Sequence, residues 1–480
     1  MKKVFKPQNI NDGKLTLDYL EFRLPCREFL FEYQSVDEVH FPIMIEFLLR
    51  LIKAAKSVSD QEIKDFFRLS WEECNYVTNK IINIGYATRR DDAIFLTAVG
   101  EQLFSANNDE PSIFQYKKYR KVFGFDLISC MPVKKSYLSK FANVFEELDV
   151  SIETKKSIEE VRENLRQNFL NTLIEHNAPE DERKTLVSID SITPRGRYAA
   201  TVPTKVVLDT NDQKIEIDFT DWRTGLDFES RRKIAQSVNS AILSLPKIDV
   251  TSFQKSATAL HECAPDVIEP FYGGDKFNSQ KFIRKTSEGY ITFQSNRKTV
   301  LTLGSFWTEE NGYRIVTGLN YGIENVTENT DRGKIELKQD LYLFKPRNRT
   351  WGMTTNFEDL LQAVVDLLSE KLEIRLDINL FHQPDDPDVW KFKHVVDNVT
   401  ELKPSKEFDN FEALLVPNIF CSSSILGTVF KGTNATVKMG FMSFDTNIVK
   451  NCEELAVDVI KRIDPQIAAR FFKKIIRKKL

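Results

Sequence analysis

Few residues in this chain combine a type and a spacing suited to chemistry. Glu336-Leu337-Lys338, with Asp331 upstream, follows the order of an acid and then Glu-x-Lys on a strand. On a strand Glu336 and Lys338 share a face, so Asp331 and Glu336 would hold Mg²⁺ while Lys338 orients water. That reading makes the chain a Mg²⁺-dependent nuclease. Alternating charge on the open face of a hairpin accounts for the same letters. Asp190, Glu216 and Asp218 form a second carboxylate grouping on expected strands. Gly427-Thr428-Val429-Phe430-Lys431-Gly432-Thr433 has the glycine spacing of a phosphate loop, but Thr433 stands where a lysine must reach the phosphates, which argues against an NTPase. His261-Glu262-Cys263 places three metal-ligand types in a row, yet adjacent residues of a regular element point apart, so the triplet reads as a surface loop. Ser422-Ser423-Ser424 has no nearby histidine, and Tyr272-Gly273-Gly274-Asp275-Lys276 reads as a turn. No Gly-x-Ser-x-Gly, His-Glu-x-x-His or Gly-x-Gly-x-x-Gly occurs. The expectation is a chain without cofactor or metal, leaning away from enzymatic function.

The elements that position such residues must be distributed over two to four domains in 480 residues. Hydrophobic residues at 41 % and charged residues at 29 % suit a soluble folded chain. The 67 basic residues against 70 acidic ones leave a net charge of −3, which favours no partner. No apolar run approaches membrane-spanning length, and no apolar stretch follows the basic start, so neither a membrane span nor a secretory signal is expected. The six cysteines (26, 74, 130, 263, 421, 452) are scattered without a staple pattern and read as reduced, mostly buried thiols of a cytoplasmic protein.

Local signals agree most clearly over residues 41–104. Pro42 suits a first helical position, and Phe47, Leu48, Leu51, Ile52 and Ala55 recur at helical spacing. Ser59-Asp60-Gln61-Glu62 and Ser70-Trp71-Glu72-Glu73 are two capping boxes. The first opens a helix carrying Ile63, Phe66 and Phe67. The second opens one with Trp71, Cys74, Val77, Ile81 and Ile84 on its inner face, ending near Gly85. Strands at 86–88 and 93–96 flank a polar turn, Arg89-Arg90-Asp91-Asp92, and Thr97 caps a last helix.

This order, together with Ile94-Phe95-Leu96-Thr97-Ala98-Val99-Gly100, resembles the winged helix-turn-helix family of bacterial and archaeal regulators, whose wing strand leads into Leu-Thr-x-x-Gly. The resemblance covers about 65 of the 480 residues. It implies that the second capped helix enters the major groove and that the wing touches backbone or minor groove. The outward positions are Glu72, Asn75, Tyr76, Asn79, Lys80 and Asn83, with Arg89 and Arg90 at the wing. Asparagines at i, i+4, i+8 line one stripe and can read adenine edges, and the basic residues can hold phosphates. Glu72, Glu73, Asp91 and Asp92 cancel much of that charge, so a protein-docking role for the same module stands beside DNA binding.

From Pro111 to Phe145 the balance changes to +6, with Lys117, Lys118, Arg120, Lys121, Lys134, Lys135 and Lys140 against Asp126. Tyr116, Tyr119, Phe123, Phe125 and Tyr137 are interleaved, a pattern able to stack bases and track phosphates. The alternative is a strand at 122–130 with buried aromatics and solvated lysines. Further on, the patterns predict one helix over 157–176, strands at 185–189, 197–208 and 214–219, and a helix over 231–245. A seam is expected near 246–252, then β-rich structure over 282–344 with alternation at 290–293, 300–303, 313–319 and 334–344. A helix over 356–370, a strand over 372–380 and an exposed loop at 382–388 follow. Residues 466–480 carry Arg470, Lys473, Lys474, Arg477, Lys478 and Lys479 without an acid, and two apolar rows at four-residue spacing, as in a basic amphipathic helix.

The fold class expected is α+β, an N-terminal winged helix followed by mixed α/β and β-rich domains. The divisions are 1–110, 111–247, 248–381 and 382–480. The function expected is a cytoplasmic, prokaryotic, non-catalytic nucleic-acid-binding subunit, with DNA and other protein subunits as partners and no membrane. At the level of architecture it resembles accessory components of DNA-transaction or phage-defence systems.

Overall fold

The computed structural model describes residues 5, 13–104, 110–138, 140–150, 154–176, 184–212, 214–219, 222, 228–243, 249–289, 291–329, 338–372, 375–386, 389–428, 436–463 and 465–466. The fold is mixed α+β with several sheets. It divides into two units, one built from residues 26–135 and 152–198, the other from 1–25, 136–151 and 199–480.

The smaller unit contains most of β1 (Lys14–His40), then α1 (Ile43–Ala55), β2 (Val58–Ser59), α2 (Asp60–Phe67), α3 (Trp71–Ile84), β3 (Ala87–Arg90), β4 (Ala93–Leu96), α4 (Ala98–Glu101), β5 (Ser112–Asp126), α5 (Thr154–Gln167), α6 (Phe169–Glu175) and the first half of β6 (Lys184–Asp209). Residues 41–104 show the expected helices and hairpin, with the unexpected strand β2 between α1 and α2, around their own core of Ile45, Leu48, Leu49, Ile52, Ile63, Cys74, Val77, Ile81 and Ile94. Both capping boxes form, with Ser59 and Ser70 each accepting the N3 amide and Glu62 and Glu73 each returning to the cap amide. The sheet order is β2-β4-β3. On α1 the buried positions are Ile45, Leu48, Leu49 and Ile52, whereas Phe47 and Ala55, expected inward, are exposed. Phe66 is likewise exposed on α2.

The rest of this unit is a sheet in the order β5-β1-β6. Phe29, Phe31, Phe123 and Phe125 face Val161, Leu165, Phe169 and Leu173 of the helices. Two sequence expectations change here. The single helix over 157–176 is broken at Asn168, whose φ of −123° is not helical. The gap expected at 190–196 is continuous strand, because β6 is the outer strand here and Pro194 needs no ladder donor on an edge.

The larger unit continues with β7 (Lys214–Asp218), α7 (Phe228–Leu243), α8 (Val250–Cys263), α9 (Pro265–Ile268), β8 (Tyr272–Gly273), β9 (Lys276–Phe277), α10 (Ser279–Ser287), β10 (Thr299–Leu303), α11 (Glu309–Asn329), β11 (Lys338–Lys345), α12 (Thr355–Leu372), β12 (Arg375–His382), β13 (Asn398–Glu401), β14 (Phe411–Val416), β15 (Phe420–Thr428), β16 (Thr436–Ser443) and α13 (Thr446–Ile463). Seven strands form one sheet in the order β10-β16-β15-β14-β11-β12-β13, parallel where β12 meets β11 and β13 and antiparallel elsewhere. Helices cover both faces. Ser423 of β15 meets Cys452 of α13, while its neighbour on the other face, Phe420, meets Gly318 of α11.

The 282–344 stretch is therefore not β-rich. Residues 313–319 lie inside the 21-residue helix α11, and residues 291–293 form no strand. The β-branched Ile315, Val316 and Thr317 favour strand, but Ile315 and Leu319, four apart, are both buried, and packing overrides propensity. The expected seam at 246–252 includes Asp249, which caps α8 by accepting the Ser252 amide. Residues 466–480 fall almost wholly outside the described residues.

At the centre of this unit Lys438 and Glu412, both almost fully buried, pair at 2.7 Å. Glu412 also accepts from the Trp351 indole at 2.6 Å and from Ser424 at 3.0 Å. The Lys438 ammonium lies 3.7 Å from the Trp307 ring centroid, and the Trp307 indole donates to Asp18 at 2.8 Å. Burial raises the Asp18 carboxyl to about 6 against the opposing pull of Lys438. All six cysteines are buried and none is in a disulfide. Among the described residues no helix is long and apolar enough to cross a membrane.

Two predictions follow from this packing. A Cβ on Gly100 would fall on the Tyr86 carbonyl oxygen, a backbone atom that cannot step aside. Gly100→Ala should therefore cost about 2 kcal/mol or more in urea unfolding, and a cost within ~0.5 kcal/mol would contradict this packing. Burial raises Glu453 to about 7, although the Asn418 amide donates to its carboxylate at 2.5 Å. Its contribution to stability is fully present below the ordinary carboxyl range and is lost as pH rises through 7. Glu453→Gln should match the wild type near pH 4 and exceed it by up to about 3 kcal/mol near pH 8; parallel stability–pH curves would refute this.

Candidate nucleic-acid interface

Helix α3 is held at both ends. Ser70 and Glu73 close its first turn, and Gly85, at φ 88°, turns its amide back to the carbonyls of Ile81 and Ile82. Cys74, Val77, Thr78 and Ile81 are buried. The outward residues expected from the sequence, Glu72, Asn75, Tyr76, Asn79, Lys80 and Asn83, are all exposed. The Lys80 ammonium lies 5.8 Å from the Tyr76 ring centroid. Trp71 and Ile84 are half-exposed instead of inward. At 100° per residue each lies roughly 70° from the centre of the buried stripe, on opposite flanks, where Thr78 completes the inner face. Lys64 covers the Trp71 ring at 5.1 Å.

The wing is tighter than expected. Strand β3 runs through Arg90, pairing Arg89 with Ile94 and Arg90 with Ala93, so the turn is Asp91-Asp92 alone. Their φ values of 45° and 62° belong to a two-residue turn that short acidic side chains tolerate. Arg89 and Arg90 are both exposed, but Arg89 pairs with Asp60 of α2 at 2.9 Å.

The basic stretch after the wing lies within β5 and does not flank a strand beginning at 122. Lys117, Lys118, Arg120 and Lys121 stand opposite Ser35, Gln34, Glu32 and Phe31 of β1. Arg120 pairs with Glu32 at 3.4 Å and Lys135 with Glu28 at 3.3 Å. Tyr119 stacks on Tyr33 at 5.5 Å, and Lys121 lies 5.5 Å from the Tyr119 ring. Tyr116 remains exposed. Tyr137 and Lys140 belong to the other unit. Glu28 and Glu32, which reduce the charge of this patch, lie some ninety residues upstream, beyond any local reading of the sequence.

Asp331 and Glu336 lie outside the described residues, and Lys338 opens β11 opposite Arg375. Asp190 belongs to the smaller unit, where Gln34 donates to it, while Glu216 belongs to the larger and pairs with Lys14 at 2.8 Å. His261 sits on α8, not in a loop, and contacts Glu269 at 2.6 Å. Ser422, Ser423 and Ser424 are buried in β15, and residues 429–435 of the glycine-spaced stretch lie outside the described residues. Among the described residues no group of three or more His, Cys, Asp or Glu is placed to hold a metal ion.

No protein-family model matches the chain, and no curated protein does. Among solved structures it is similar to TrmBL2, an archaeal chromatin protein whose structure is described as showing a novel mode of DNA binding. The identity is 6 %, the TM-score 0.19, and the match covers 88 % of this chain and 94 % of that one.

Proposed function

We propose that residues 41–104 form a winged helix-turn-helix and that the chain binds nucleic acid, DNA foremost, through the outer face of α3. The observation that carries this reading is the exposed stripe of Asn75, Asn79 and Asn83 on a helix whose inner face and both ends are otherwise engaged. Carboxamides in that row suit adenine edges in a major groove. Lys80, Arg90 and Lys118 are the exposed cations best placed to hold phosphates, whereas Arg89 and Arg120 already have carboxylate partners. The role proposed is non-catalytic, as a subunit within a larger assembly, in keeping with the lack of catalytic motifs in the sequence.

A salt titration of duplex binding by fluorescence anisotropy tests the reading. The logarithm of affinity should fall against the logarithm of salt with a slope of about −2 to −3, set by two or three phosphate contacts. Lys80→Ala with Arg90→Ala should flatten that slope by about 2, and Arg89→Ala should flatten it less. Asn79→Ala should reduce discrimination between sites and leave the slope unchanged. No binding at low salt, or a slope indifferent to the double substitution, would overturn the proposal. Mg²⁺-dependent cleavage of the duplex would favour the nuclease instead.

A further inference from the structure

Three of the six cysteines converge in the core of the larger unit, from elements far apart in the chain. Cys452 of α13 holds the centre, in hydrogen-bond contact with Cys263 at the end of α8 and with Cys421 of β15. Ser423, on the same face of β15 as Cys421, places its Oγ 3.8 Å from the Cys452 Sγ. The Asn451 amide donates to the Cys263 carbonyl at 3.3 Å and so holds the end of α8 against α13. Burial by itself pushes a thiol up. At Cys452 burial is outweighed by donation from Cys263, Cys421 and Ser423, which holds this thiol well below the usual range. Cys263 is raised by its bond to Cys452, and Cys421 by burial. The cluster therefore ionises at its centre and keeps its two outer thiols protonated. Elsewhere Cys74 donates to the Asp60 carbonyl and Cys130 to the Glu160 carboxylate.

Cys263, Ser423 and Cys452 also line a cavity of about 10 Å³, walled otherwise by apolar side chains such as Phe344, Phe411 and Leu455. It has room for about one water-sized molecule. A thiolate with a protonated thiol beside it, both facing a small cavity, forms the working parts of a peroxide-reactive pair.

We infer that Cys452 is oxidised by hydrogen peroxide and that Cys263 resolves the product as a disulfide. The Cys452 thiolate attacks one peroxide oxygen, the O–O bond breaks, and a sulfenic acid forms as hydroxide leaves. The sulfur loses two electrons and the peroxide gains them. The Cys263 sulfur then displaces the sulfenic oxygen. Its thiol proton leaves with that hydroxyl as water, and an S–S bond joins α8 to α13. Cys263 is the resolving thiol because it lines the same cavity as Cys452. The size of the cavity confines the reaction to the smallest oxidants and excludes a bulky disulfide such as glutathione disulfide. The inference concerns the larger unit alone and does not rest on the nucleic-acid reading.

The test treats the reduced full chain with a small excess of hydrogen peroxide at about pH 7. Remaining thiols are then alkylated in urea, and the peptides are mapped without reduction by mass spectrometry. A Cys263–Cys452 crosslink should be the main product. Cys452 should be consumed at least about tenfold faster than in the urea-unfolded chain, where an ordinary thiol is only a few per cent ionised. Cys74 and Cys130 should remain thiols at the same dose. In Cys263→Ser the sulfenic acid at Cys452 should persist and be captured by dimedone. Four results would overturn the inference: a Cys452 thiol left intact, consumption no faster than in the unfolded chain, a crosslink to Cys421 in place of Cys263, or modification of Cys452 by glutathione disulfide.

Discussion

A lysine ammonium buried in the larger unit constrains much of what surrounds it. Lys438 is almost completely removed from water, and an uncompensated charge there would be prohibitive. The compensation comes from distant parts of the chain: Glu412 on β14, the Trp307 ring, and Asp18 on β1 through the Trp307 indole. Glu412 in turn needs its remaining acceptor capacity filled, which Trp351 and Ser424 accomplish. Strand register is thereby tied to polar satisfaction as well as to apolar packing. A slip by one residue would turn Lys438 to the other face and break the network at once. Replacement of the pair by apolar residues could be neutral in energy, so the network bears more directly on register than on net stability.

The smaller unit depends on a different device. Both capping boxes and the Gly85 turn satisfy the ends of α2 and α3 locally, and Gly100 lets α4 close on the carbonyl of Tyr86. With its ends and inner face engaged, α3 has one face left without a structural role, and that face carries three amides, a tyrosine and a lysine. Its electrostatics are restrained. Arg89 and Arg120 spend their charge on Asp60 and Glu32, and the wing tip is acidic. A surface of this kind suits modest, salt-sensitive contact with nucleic acid.

How much was legible depended on how local the cause was. Ser59 and Glu62, or Ser70 and Glu73, are three residues apart, so their caps could be read directly from spacing. Helix α12 and strand β12 were readable because their periodicity was undisturbed. Residues 313–319 were misread because their residue types favour strand while their partners, across α11 and β15, favour helix. Trp71, Ile84 and Phe66 were misread because hydrophobicity alone does not say where a small core ends.

The sequence by itself determined the order of the helices and hairpin and the helix caps of residues 41–104, the outward stripe of α3 and the mixed α+β class. Each of these is set by interactions within one or two helical turns or by the alternation of a single strand. Only the tertiary structure decided which basic residues keep their charge available, which segments share a sheet, and what surrounds Lys438. Those outcomes hinge on pairings such as Arg120 with Glu32 or Trp307 with Asp18, between residues about 90 and 290 positions apart. No local spacing encodes such a pairing, because it is selected by the burial of whole faces and the cost of leaving a charge unpaired.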